Sequence, residues 1–256
     1  MSGAAGPDLS ATAVIAAAGS GERLGAGGPK ALVEVAGRPL LAWSLGAFAA
    51  AASVDRAIVA APPGREGDVA RAAEAAIAGD GLELAVVAGG TERSESVAAA
   101  LGRVEGDLVA IHDAARPLVT PELIDAVLAK LASRPDAAGV IAAAPITDTV
   151  KRAREPRGRA GEAEREGPAV ERTESRDYLW AAQTPQAFRA AALRGAHAAD
   201  ADRVAAATDD AMLVEATGGK VLIEPAPAAN LKVTTAADLA LATLMLTERR
   251  RGFVPS

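Results

Sequence analysis

Cysteine is absent from this 256-residue chain, histidine occurs only as His112 and His197, and the aromatics are two Trp, one Tyr and three Phe. Without cysteine there is no disulfide, thiol nucleophile, thiolate-held zinc or iron–sulfur cluster. So few aromatics cannot furnish a base-stacking platform, and a net charge of −6 argues against a nucleic-acid partner. No apolar run approaches the ~18 residues of a membrane span. Residues 1–10 lack the basic flank and apolar core of a signal peptide and are expected to form a flexible tail. What these absences leave is an Ala-rich globular protein, expected in the cytoplasm and long enough for one sizeable core.

Short apolar runs alternate with stretches of helical spacing. The runs Thr12–Ala17, Ala57–Ala61, Leu84–Val87, Leu108–Ile111, Ala138–Ala143 and Val221–Glu224 predict strands. Helices are predicted over Leu40–Ala51, Gly67–Ala78, Ser94–Val104, Pro121–Ser133, Gln186–His197, Asp209–Thr217 and Thr235–Arg249. Such alternation implies βαβ units, hence an α/β protein with a Rossmann-like, mostly parallel twisted sheet covered by helices on both faces. One domain is expected over 11–249, with a C-terminal tail over 250–256 and no second domain after Leu246. From Arg154 to Arg176 the chain is Arg, Glu, Gly and Pro with hardly any apolar residue. That composition predicts a solvated loop, or an arm over 152–176 whose ends matter more than its tip.

The first strand runs into Ala16-Ala17-Ala18-Gly19-Ser20-Gly21-Glu22-Arg23, then Gly27-Gly28-Pro29-Lys30. Small residues let a backbone approach a ligand closely and line its amides on phosphate oxygens. A dinucleotide fingerprint fits poorly: Gly27-Gly28-Pro29 interrupts the crossover helix, and Pro62-Pro63-Gly64 ends the second strand with no carboxylate for a ribose. A P-loop fails for want of Gly-Lys-Ser/Thr. Arg23 and Lys30 bracket the bend as two cations, and Lys30 is one of only five lysines. Fixed cations beside an amide cradle suit a triphosphate under attack at its α-phosphorus.

Further polar motifs follow the later strands. Gly89-Gly90-Thr91-Glu92-Arg93-Ser94-Glu95-Ser96 offers a seat for a base or ribose, or a helix cap at Thr91 or Ser94. His112-Asp113-Ala114-Ala115-Arg116-Pro117 puts an aspartate at the carboxyl end of a strand, where open α/β sheets bind ligands; His112 is expected to pack or bond locally. Asp113 suits a substrate hydroxyl or a shared Mg²⁺. Thr184-Pro185 reads as an N-cap followed by a first-turn proline, and Trp180 and Phe188 read as core. No nucleophile elbow is present, which argues against a hydrolase triad.

Taken together, Ala-Ala-Gly-Ser-Gly-Glu-Arg with Pro29-Lys30, Gly-Gly-Thr-Glu-Arg-Ser-Glu-Ser-Val, His-Asp-Ala-Ala-Arg-Pro, Asp148-Thr149-Val150-Lys151, Gln-Thr-Pro-Gln-Ala-Phe and Thr-Asp-Asp-Ala resemble the 2-C-methyl-D-erythritol 4-phosphate cytidylyltransferase family over about Thr12 to Leu246. The resemblance implies the nucleotidyltransferase fold with a protruding arm, and Mg²⁺-dependent transfer of CMP from CTP to methylerythritol phosphate in non-mevalonate isoprenoid biosynthesis. It implies that Arg23 and Lys30 stabilise the transition state, and that Arg176 binds the acceptor phosphate from a partner's arm in a homodimer. Lys232 would be a second acceptor-positioning cation, with Asp113, Arg116, Thr149 and Thr184 in the same pocket. The nucleotide contacts fall on Ala17, Ala18, Gly19, Gly21, Gly90, Arg93, Ser96 and Ala114. Arg23, Lys30, Arg93, Arg116, Lys151, Arg176 and Lys232 are thereby expected to converge on one pocket. A ribitol 5-phosphate cytidylyltransferase would share the nucleotide chemistry and differ at the acceptor. A non-catalytic nucleotide sensor would keep the glycine loop and lose these cations.

Overall fold

The computed structural model describes residues 10–25, 27–154, 168–199, 204 and 206–252; most of both expected tails and the middle of the expected arm lie outside them. The strands in chain order are β1 (Ala11–Ala16), β2 (Glu34–Val35), β3 (Arg38–Pro39), β4 (Val54–Ala61), β5 (Glu83–Ala88), β6 (Leu108–Asp113), β7 (Gly139–Pro145), β8 (Lys151–Arg154), β9 (Ala169–Thr173), β10 (Trp180–Arg189) and β11 (Val221–Pro225). The helices are α1 (Leu40–Ala49), α2 (Glu66–Ala76), α3 (Arg93–Leu101), α4 (Pro121–Ala132), α5 (Ala190–His197), α6 (Asp210–Ala216) and α7 (Ala236–Arg250).

Seven strands make one sheet in the order β11-β7-β10-β6-β1-β4-β5. β1 pairs in parallel with both β4 and β6, β4 with β5, and β7 with β11. Their alternate side chains feed two cores, as the two-residue period of a strand requires. Ala13, Ile15 and Val59 pack with α1, α2 and α4 through residues such as Phe48, Val69 and Leu128. Val14 and Ile58 face the other way, onto α3, α5 and α6 through Val97, Leu193 and Val214. α7 seals a smaller cluster with Val35, Leu40 and Leu118. Among the described residues no helix is long and apolar enough to cross a membrane.

Three expectations are corrected. The segment read as the entry of a helix from Gln186 is β10, antiparallel to both neighbours, and α5 starts only at Ala190. Thr184-Pro185 is thus no helix cap: it is a cis peptide inside β10, where the register with β7 breaks between Ala182 and Gln186. Proline has no amide to give a ladder, so it is tolerated where the ladder is interrupted. Trp180 is 37% exposed rather than core, whereas Phe188 is fully buried as expected. The described ends of the charged segment, β8 and β9, pair as an antiparallel hairpin stem with every residue exposed, in keeping with the arm alternative.

Candidate active site

The carboxyl ends of β1, β4, β5 and β6 open onto a cleft of about 640 Å³. β1 lies between β4 and β6, so the chain leaves it in one direction and returns on its other side. Such a switch point splays the following loops apart and leaves a crevice for ligands. One wall is Ala16 to Glu22 with Lys30 and Ala31, the opposite wall is Gly90 to Arg93 with Ser96, and Asp113 to Ala115 close the floor with Lys232 and Thr234.

Backbone bonds fix the glycine wall. Lys30 donates its amide to Gly19 O at 3.0 Å, folding the loop back on itself. Gly21 makes the bend at φ +78°, and a Cβ there would meet Gly28 O at 3.0 Å. Both the left-handed angle and the close approach call for glycine. The side chain of Arg23 lies outside the described atoms; its backbone is in a 3₁₀ turn over Glu22–Leu24.

The second wall is held by α3. Glu92 caps that helix in a capping box with Glu95, correcting the expectation of a cap at Thr91 or Ser94. Glu95 also accepts from the Thr91 amide at 2.8 Å, and Ser96 Oγ accepts from the Gly90 amide at 3.1 Å. Gly89 is tightly enclosed: a Cβ would lie 2.7 Å from Ser96 Oγ, 2.9 Å from Ala18 Cβ and 3.0 Å from Ala61 O. Gly89→Ala is therefore expected to push the two walls out of register. It should cost about 1–3 kcal/mol of stability, the usual range for overpacking, and weaken nucleotide binding at least tenfold. Urea unfolding and calorimetric titration with CTP check both, and an unchanged affinity would refute the packing argument.

Asp113 is the electrostatic centre. Its side chain lies 3.0 Å from Arg93 Nε, 2.7 Å from Lys232 Nζ and 4.0 Å from Arg116 Nε. Burial pushes its carboxyl up, but Arg93 and Lys232 outweigh that and hold it well below the usual carboxylate range. Lys232 is placed from both sides, by Asp113 and by the amide of Val233 donating to Ala115 O at 2.8 Å.

Behind Asp113 sits a buried polar chain. Asp113 donates its amide to Thr184 Oγ1 at 3.1 Å, and Thr184 Oγ1 lies 2.9 Å from His112 Nδ1. His112 Nε2 lies 3.3 Å from Arg116 O, and a carbonyl only accepts, so that nitrogen carries the proton. Nδ1 then accepts from the Thr184 hydroxyl, and the ring is neutral; burial pushes its pKa down to about 3. His112 thus bonds locally, as expected. The unfolded chain, with a His pKa of ~6.5, takes up a proton that the folded chain refuses. Stability is therefore full above that pH and declines by about 1.4 kcal/mol per pH unit as pH falls from it toward 3. Urea titrations at pH 7, 6 and 5 should show this slope in the parent and less of it in His112→Gln; equal slopes would overturn the assignment.

The structure brings some of the expected residues together and separates others. Ala17, Ala18, Gly19, Gly21, Lys30, Gly90, Arg93, Ser96, Asp113, Ala114 and Lys232 all line the cleft. Thr184 is buried and Arg116 is bonded to Asn230 O at 2.8 Å, so both stand behind Asp113. Thr149 is exposed in the connection to β8, while Lys151 donates to Thr173 in the hairpin stem. Arg176 donates to Thr147 O at the root of that stem. The expected convergence of cations is thus corrected within this chain to Lys30, Arg93 and Lys232 among described side chains. Sequence reasoning missed Thr234 on the cleft and Asn230, whose amide donates to Gln183 Oε1 at 2.8 Å and Thr184 O at 2.9 Å to anchor the Lys232 segment.

A glycine-walled, cationic crevice at the switch point of an α/β sheet suits a nucleotide-dependent transferase, whose chemistry asks the protein for position and positive charge. The model of the 2-C-methyl-D-erythritol 4-phosphate cytidylyltransferase family matches residues 11–248, and the chain belongs to that family. It is 42% identical to the 2-C-methyl-D-erythritol 4-phosphate cytidylyltransferase of Streptomyces coelicolor over 240 residues, 93% of this chain and 85% of that one. The Gloeobacter violaceus protein of the same name is 39% identical over 242 residues, 93% of this chain and 97% of that one. Among solved structures, the 2-C-methyl-D-erythritol 4-phosphate cytidylyltransferase of Thermus thermophilus superposes with a TM-score of 0.68 at 33% identity, covering 92% of this chain and 98% of that one.

Proposed function

We propose that the protein transfers CMP from CTP to 2-C-methyl-D-erythritol 4-phosphate, releasing pyrophosphate, in non-mevalonate isoprenoid precursor biosynthesis. The observation that carries this reading is the cleft itself, in which Lys30, Arg93 and Lys232 line one crevice together with an Ala-Gly backbone wall. A phosphate oxygen of the acceptor attacks the α-phosphorus in line; one P–O bond forms as the bond to pyrophosphate breaks. The acceptor phosphate brings its own nucleophilic oxygen, so neither a protein nucleophile nor a general base is required. What the protein supplies is position and positive charge.

The nucleotide is assigned to the glycine wall and the Gly90–Ser96 wall, and the acceptor to the Asp113 and Lys232 floor. The donor set fits no resident metal ion: among the described residues no three His, Cys, Asp or Glu gather, and the carboxylate of Asp113 is already shared by Arg93 and Lys232. Magnesium, expected from the sequence with Asp113 as ligand, enters this reading as a companion of the triphosphate, which carries its own oxygen ligands. The arm is assigned to a homodimer. Val170 and Tyr178 are 64% and 90% exposed, and Arg176 stands away from this chain's own cleft, as an arm reaching a second copy requires. Small, phosphorylated, water-soluble substrates support a cytoplasmic reaction.

The test is pyrophosphate release with CTP, UTP, ATP or GTP against methylerythritol phosphate and ribitol 5-phosphate. CTP with methylerythritol phosphate should dominate. Preference for ribitol phosphate would move the protein to the alternative acceptor, and CTP binding without turnover on either would make it a sensor.

A further inference from the structure

The ion-pair network that organises the cleft extends beyond it. Asp210 opens α6, its side chain is 1% exposed, and it is not among the residues lining the cleft. Its Oδ2 accepts from Arg93 Nη1 at 2.6 Å, and its Oδ1 lies 3.0 Å from Nε2 of His197, near the end of α5. The chain His197–Asp210–Arg93–Asp113–Lys232 thus runs from the α5–α6 contact to the floor of the cleft.

We propose that Asp210 is a positioning residue for the nucleotide site, acting through Arg93. An arginine has several rotatable bonds, and one carboxylate alone leaves it free to pivot. Here Nε is held by Asp113 on β6 and Nη1 by Asp210 on α6, so two nitrogens of one planar group are fixed by two separate elements. The same grip keeps Asp113 from turning wholly toward Lys232. His197 secures Asp210 in turn: a carboxylate only accepts, so Nε2 donates to it, and Nδ1 is buried without a hydrogen-bond partner among the described residues. Packing does not call for this arrangement. Apolar side chains of similar volume stabilise an interior at least as well as a buried ion pair. What a carboxylate at position 210 adds is a fixed point for a cleft-lining guanidinium.

This role rests on the reading of the cleft as a CTP site, and the experiment separates the two. Calorimetric titration with Mg·CTP, without acceptor, is carried out on the parent, Asp210→Asn, Arg93→Gln and the double variant. Asp210→Asn is expected to bind CTP about tenfold more weakly, with kcat at saturating CTP changed by less than about threefold. The double variant should bind no more weakly than Arg93→Gln alone, because the residues act in series. Arg93→Lys keeps the charge but cannot span two carboxylates, so it should match Asp210→Asn and serves where the latter does not fold. Additive losses in the double variant, or parent-like affinity in Asp210→Asn or in Arg93→Lys, overturn the positioning role. A parent that binds no CTP overturns the functional reading and this role with it.

Discussion

Lys30→Ala is expected to lower kcat by about 10²–10³-fold, equivalent to about 3–4 kcal/mol of transition-state stabilisation lost, while the KM for the acceptor changes little. The attacked α-phosphorus gathers charge on its equatorial oxygens only as the reaction proceeds, so a fixed cation helps the transition state more than the bound ground state. Lys30 lines the cleft, and its backbone is tied by its own amide to Gly19 in the loop assigned to the triphosphate. The substitution trims a partly exposed side chain in a 3₁₀ turn, so the fold should survive it. Lys30→Arg should recover only part of the loss, because a planar fork does not replace a compact ammonium. Pyrophosphate release at saturating substrates checks the prediction, and a fall in kcat under fivefold would sink the assignment.

The second large effect is at Asp113. Asp113→Asn leaves Arg93, Arg116 and Lys232 gathered around a neutral amide. Breaking a buried pair on one side strands the other charge, at about 3–5 kcal/mol. The lower end applies here, since Lys232 is 40% exposed and partly screened. Activity should fall at least a hundredfold, because Arg93 and Lys232 lose the group that sets their spacing. The pH dependence has a definite sign. A carboxyl held below its usual range contributes stability above the unfolded pKa of ~3.9, and loses it as pH falls below that value. The stability gap between parent and Asp113→Asn should therefore stay flat from pH 5 to 8 and close only in stronger acid. Urea titrations across that range, with parallel activity assays, decide it; a gap that narrows near neutrality would exclude a network-held carboxylate.

The parallel part of the sheet was readable from its residues. Runs such as Thr12–Ala17 and Leu108–Ile111 are buried on both faces, and burial on both faces leaves a continuous apolar signature. β10 was not readable, because Gln183-Thr184-Pro185 carries helix-entry chemistry and only the register break with β7 makes room for the proline. The hairpin stem of β8 and β9 escaped for the opposite reason. Every residue in it is exposed, so no alternation of apolar and polar side chains marks it as strand. At the site, the glycine bend and Asp113 follow directly from strands and could be placed by spacing. The pairing of Arg93 with Asp210 joins residues 117 positions apart, and Asp210 reads locally as nothing more than part of a helix start. The two-sided anchoring of the Lys232 segment, by Asn230 and by Val233, is likewise created only by the return of the chain to the sheet.

The place of β10 also has a consequence for how the chain comes together as it is made. The block β5-β4-β1-β6 and the pair β7-β11 share no ladder of their own; β10 is the splice between them. Every strand of the first block is made before β10, so a nascent chain carries β6 as an open edge, ending in Asp113, until Trp180–Arg189 has emerged. An open, apolar central strand is a template for unwanted pairing. Closing that edge, when Thr184 meets the amide of Asp113, is thus an intermediate step in building the cleft: it splices the two parts of the sheet, and the Lys232 segment, made later, completes the floor.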